Sequence, residues 1–181
     1  METKKMIYDK KLEEYKNNSS HIKLYYFDEE ISGKILNFSE DFILIHDVKD
    51  WHYDAYMIFP KKFIKKIKYG KLEKFHEKLL KNTAQKKNNI DWINLKSFKS
   101  IFNSIHSNYN QVCIEGAEKN VNQFLIGKIS QWNKKNLFLK KLTVYGELKQ
   151  KEIKIPINDI SCIFFKDEYS SRLFDYLTAH K

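Results

Sequence analysis

Apolar and polar positions alternate in short runs along this chain, and the runs come in two groups. In the first group His21–Phe27, Ser32–Phe38, Phe42–Val48, Tyr53–Phe59 and Ile64–Tyr69 are short segments rich in Ile, Phe, Tyr and Val, which predicts strands. The breaks between them are polar: an acidic turn at Asp28–Glu30, a hairpin turn across Ser39-Glu40-Asp41, a turn at Lys49–His52, and Pro60–Phe63, which suits one turn of 3₁₀ helix. The second group reads Gln111–Glu115, Phe124–Trp132, Leu137–Val144, Lys151–Ile157 and Ser161–Phe165, with turns at Asn133–Asn136 and Tyr145–Glu147. A change to a 3.6-residue period predicts helices at the flanks. Tyr8, Leu12 and Tyr15 precede the first group, and Leu72, Phe75 and Leu79 follow it. Leu95, Phe98, Ile101, Phe102 and Ile105 precede the second, and Tyr169, Leu173 and Tyr176 follow it.

The two groups match residue by residue. Gly33-Lys34-Ile35 reappears as Gly127-Lys128-Ile129, 94 positions later. Pro60, Ile64 and Ile67 reappear as Pro156, Ile160 and Ile163, 96 positions later. The chain has 2 prolines, and both fall on equivalent positions, so an internal repeat is the better reading. The expected fold class is α+β, mainly β: two repeated five-stranded small barrels with flanking helices. The expected division is residues 1–80, a polar linker at 81–91 (KNTAQKKNNID), and residues 92–181. Closing each sheet would remove its exposed edges. Packing the copies together through the Leu95–Ile105 stripe would supplement two cores that are marginal alone.

This order of elements resembles the Sm-like and SH3-like small barrels, and is similar to uncharacterised bacterial proteins with the same glycine, hairpin, strand and helix pattern. The most specific stretch is Gly33 to Leu44, where Gly33, Ile35, Phe38 and Leu44 fit the first Sm motif. Ser39 stands where the family has Asp, and Ile43 where it has Asn. In the second copy Gly127, Ile129 and Trp132 fit, and Asn133 replaces the Asp. The second Sm motif has no match, so the residues that read bases in that family do not carry over. The resemblance implies a fold and no activity.

Charge adds a choice of partners. The formal net charge is +10, spread evenly over both halves of the 181 residues. Such a field favours acidic partners, including nucleic acid. Nearly all the positive charge is lysine, Arg172 being the one arginine, which suits phosphate contact better than base-edge recognition. The abundance of Lys, Asn, Ile, Tyr and Phe also matches an AT-rich coding bias. The candidate nucleic-acid set is Lys61, Lys62, Lys65, Lys66 and Lys68 in one copy and Lys134, Lys135, Lys140 and Lys141 in the other, with Trp51, Tyr53 and Trp132 as stacking surfaces. The competing reading is a solvated strand face whose edge lysines block aggregation.

Enzyme signatures are missing: the sequence has no phosphate-binding glycine loop, no HExxH, no CxxC and no nucleophile elbow. His46 to Asp54 packs two His and three Asp into nine residues, but the second copy has no ligands at that place, so a charged hairpin tip is expected rather than a metal site. Cys113 and Cys162 read as buried apolar residues in a reducing cytoplasm. The N-terminus METKKMIYDK has no apolar signal core, and no run is long enough to span a membrane. The expectation is a cytoplasmic, non-enzymatic binding or scaffolding module of accessory, immunity or defence type. It would need no cofactor or metal and would act on a protein partner. The alternative is a nucleic-acid binder of low specificity.

Overall fold

The computed structural model describes residues 4–80, 90–116 and 124–179. The expected linker lies mostly outside these, at 81–89. In chain order the elements are α1 (Lys4–Asn17), β1 (His21–Tyr26), β2 (Glu29–Phe38), β3 (Phe42–Lys49), β4 (His52–Pro60), a 3₁₀ turn (Lys61–Phe63), β5 (Ile64–Lys68) and α2 (Lys71–Leu80). Then come α3 (Phe98–Asn108), β6 (Gln111–Gly116), β7 (Leu125–Trp132), β8 (Asn136–Leu142), β9 (Leu148–Pro156), a second 3₁₀ turn (Ile157–Asp159), β10 (Ile160–Phe165) and α4 (Glu168–Ala179). Each strand and helix predicted from periodicity is present, with ends shifted by a few residues. Leu95 belongs to the segment before α3, because Ser97 caps that helix by accepting the Ser100 N–H.

The barrels are not there. All ten strands form one antiparallel sheet in the order β5-β1-β2-β3-β4-β10-β6-β7-β8-β9, and the sheet does not close. Each half keeps the order expected of it, with its fifth strand beside its first. The fourth strand of the first half then pairs with the fifth of the second, aligning Ile58 with Ile163, Met57 with Phe164 and Tyr56 with Phe165. The reason is burial. Every residue of β10 is buried, and so is β4 from Ala55 to Pro60. A strand that is apolar on both faces needs cover on both.

That cover comes from two cores. Tyr56, Ile58, Ile163 and Phe165 face a core shared with α3, Val112, Ile129 and Leu139. Met57, Phe59, Cys162 and Phe164 face the other, with Leu12 of α1, Ile22, Ile35 and Phe174 of α4. Cys113 and Cys162 lie on paired strands and face this second core. Both are free thiols, and burial raises their pKa, which leaves them unreactive.

The equivalent positions do equivalent work. The β2–β3 register shifts between Ile35 and Asn37, and the β7–β8 register between Ile129 and Gln131. These bulges bend each half over its core. Pro60 and Pro156 start the 3₁₀ turns with φ near −61° and −62°. The residue after each proline donates its N–H to the preceding hairpin turn, Lys61 to Asp41 O (2.7 Å) and Ile157 to Lys135 O (2.9 Å). Gly33 and Gly127 sit where the neighbouring strand comes closest: a Cβ would lie 2.3 Å from His46 O or from Lys140 O.

Candidate functional surfaces

The basic residues fall in two separate places. Lys65, Lys66 and Lys68 are exposed on β5, at one end of the sheet. Lys134 and Lys135 are exposed in the β7–β8 turn, while Lys140 and Lys141 are half-buried on β8, near the other end. Lys61 is largely buried, ion-paired to Asp9 at 2.7 Å and set over the Phe38 ring, so it pins α1 to the sheet. Lys62 donates to Asn158 O (3.2 Å) and ties the two 3₁₀ turns together. Lys65 pairs with Asp28 at 3.1 Å. Of the three aromatics, Trp132 is half-buried against Phe102 and His106. Tyr53 is half-buried beside His46 with Lys34 over its ring. Trp51, at the β3–β4 turn with φ +67°, is 54% exposed.

The dense polar hairpin borders a cleft of about 510 Å³, formed where β3 and β4 meet α4. Its floor is Ala55, Met57, Phe124 and Phe164, and its rim carries Asp47, Asp54, Asp167, Glu168 and Arg172. Three of those carboxylates are committed. Asp54 accepts the Glu168 N–H at 2.8 Å. Asp167 caps α4 through the Ser170 N–H (2.8 Å) and takes the Ser170 hydroxyl and the Cys113 thiol as well. Glu168 holds Arg172. These groups anchor the start of a helix and complement its dipole. Among the described residues no three His, Cys, Asp or Glu side chains stand together as a metal site. No helix among them is long and apolar enough to cross a membrane.

Three titrations give this region a pH dependence. His46 lies stacked on Tyr56 (4.4 Å) and beside Tyr53 (4.6 Å). Burial, helped by Lys34, pushes it down to about 4. Burial, then His76 and Lys34, does the same to His21. An unfolded histidine titrates near ~6.5. As pH falls from there toward 4 the unfolded chain takes up protons first, and stability is lost. Asp47, raised to about 6 by burial, works the other way, because the folded state protonates first. Two groups outweigh one. Urea unfolding is expected to show a loss of about 1–3 kcal/mol between pH 6.5 and 4, discounted for partial exposure of His46. His46→Phe should remove most of that slope, because it leaves His21 opposed by Asp47; an unchanged slope would mean His46 is not the group that titrates.

The surface that sequence reading did not identify is on α2. The apolar residues Leu72, Phe75 and Leu79 located this helix, yet they are 47%, 53% and 45% exposed. The side turned inward carries Glu73, which is buried, Glu77, and Leu80. Glu73 accepts the Gly70 N–H at 2.8 Å, closing the helix start as a capping box does. Glu77 accepts the His21 backbone N–H at 2.7 Å and the Tyr69 hydroxyl at 3.4 Å. So α2 is attached by polar contacts, and its apolar row faces solvent beside Trp51, which touches His76 edge-on at 5.2 Å. The available signal was the spacing of Glu73, Glu77 and Leu80, which leaves the helix no second apolar side to bury.

No family model, no curated protein and no solved structure matches this chain.

Proposed function

We propose that the protein is a non-enzymatic binding module that engages a protein partner through the outward face of α2. The observation that carries this reading is the reversed amphipathicity of that helix: two glutamates inside, Leu72, Phe75 and Leu79 outside. An amphipathic helix of a monomer normally turns its apolar stripe to the core, and contiguous exposed apolar patches mark interaction sites. Trp51, also exposed, lies against His76 at the border of this row, and aromatic residues are enriched at protein interfaces. In the cleft of about 510 Å³, Asp54, Asp167 and Glu168 hold the start of α4 in place.

The test compares the tagged full chain with a Leu72→Ser/Phe75→Ser/Leu79→Ser variant in a native pull-down. The variant is expected to melt within about 6 °C of the parent, since three exposed substitutions cost at most about 0.5 kcal/mol each. It is expected to lose a stoichiometric protein that the parent retains at high salt. Nucleic acid captured equally by both, and released by salt, would instead favour the lysine surfaces and overturn the reading.

A further inference from the structure

The exposed surface of α2 has a definite chemical order. Its exposed residues are Lys71, Leu72, Lys74, Phe75, Lys78 and Leu79, three lysines and three apolar side chains with no acid among them. At 100° per residue the lysines form one row, the apolar residues the adjacent row, and His76 with Trp51 borders the far side. Leu72, Phe75 and Leu79 are spaced three then four, the a, d, a spacing of a coiled-coil seam. In that register Lys71 and Lys78 both occupy g positions, the places that set partner choice by charge.

Resting on the reading that α2 is the docking face, we infer that its partner is an amphipathic helix with an apolar seam flanked by acidic residues. Three alternatives fit less well. A second copy would bring Lys71 and Lys78 against themselves or against His76, with a net charge of +10 on each chain. A bilayer surface is suited by a broad apolar face, whereas this seam is narrow and has lysines on one side only. Nucleic acid has no use for Leu72 and Leu79 beside the lysine row. The seam runs from Leu72 to Leu79, about 12 Å, so it matches about two turns of a partner helix.

The test uses two synthetic helical peptides with Leu at a and d, one with Glu at e and g and one with Lys there. A third probe is vesicles of phosphatidylcholine and phosphatidylserine. Binding to the full chain is measured by fluorescence anisotropy for the peptides and by co-sedimentation for the vesicles. The Glu peptide is expected to bind at least ten times more tightly than the Lys peptide, with the gap shrinking at high salt. Lys71→Glu/Lys78→Glu, both at exposed positions, should reverse the order, and Phe75→Ser should weaken the Glu peptide at least tenfold. Equal binding of the two peptides, α2-dependent vesicle binding without peptide binding, or self-association abolished by Phe75→Ser would each overturn the inference. If the pull-down still yields a partner that depends on α2 while the peptides bind equally, the docking face stands and its charge assignment fails.

Discussion

Gly33→Ala and Gly127→Ala are each expected to destabilise the fold by about 3 kcal/mol or more, the upper end for overpacking a well-filled site. The added carbon would sit 2.3 Å from a carbonyl oxygen, of His46 in one case and Lys140 in the other. Neither oxygen belongs to a side chain that can swing away. Both are on strands held in register on two sides, β3 between β2 and β4, and β8 between β7 and β9. At position 127 the Leu139 side chain also comes within 2.8 Å. For a chain of this length the loss corresponds to a fall of about 6–12 °C in Tm. Gly70→Ala is the control. Its Cβ would meet only the movable Glu73 carboxylate at 3.3 Å, and a cost below about 1 kcal/mol is expected. Calorimetry of the three variants decides it; a Gly127→Ala protein that melts with the parent would mean the strands separate there more easily than their pairing indicates.

Ile58→Lys should have the larger effect still. Ile58 is fully buried on β4, opposite Ile163 on β10, and faces the core that contains Tyr56 and Phe165. An ammonium group there would be desolvated among apolar side chains. The cost is several kcal/mol, comparable with the whole stability of an ordinary domain. Circular dichroism and limited proteolysis should find the variant unfolded, or split at the joint between the halves. Ile58→Val, which keeps the joint apolar, should cost about 0.5–1.5 kcal/mol. The corresponding residue on β9 is Lys154, which is exposed, so Lys154→Ile should leave stability nearly unchanged. An Ile58→Lys protein as stable as Ile58→Val would rule out a core continuous across β4 and β10.

The strands were legible because Ile, Phe, Tyr and Val crowd into short segments between polar turns, and the helices because their apolar residues keep a 3.6 period. The joint was legible too, in a weaker form. Ala55–Phe59 and Cys162–Phe165 are unbroken apolar runs, which call for cover on both faces, whereas β5 (IKKIK) and most of β9 (KQKEIK) are not. The lone small barrel expected from the repeat has one wet face on each strand, and those two runs argue against it. The outward face of α2 was harder to read. Periodicity places Leu72, Phe75 and Leu79 on one side of a helix but does not say which side meets the sheet. That depended on Glu77 finding the His21 N–H, a contact between residues 56 positions apart.

The β4–β10 joint leaves two unmatched ends, and they are the two halves of that same joint. β5 opens one end of the sheet and corresponds to β10; β9 opens the other and corresponds to β4. Strand geometry alone would let the β9 of one molecule take up the β5 of another, and then the next, without limit, as any head-to-tail contact does unless it closes into a ring. The side chains forbid the step that the backbone permits. Where the joint has Ile58 and Phe164, the ends have Lys154 and Lys68. Charged termini of this kind turn a repeating pattern into a counted one. The number of units is therefore written into the chain as two, rather than left to concentration.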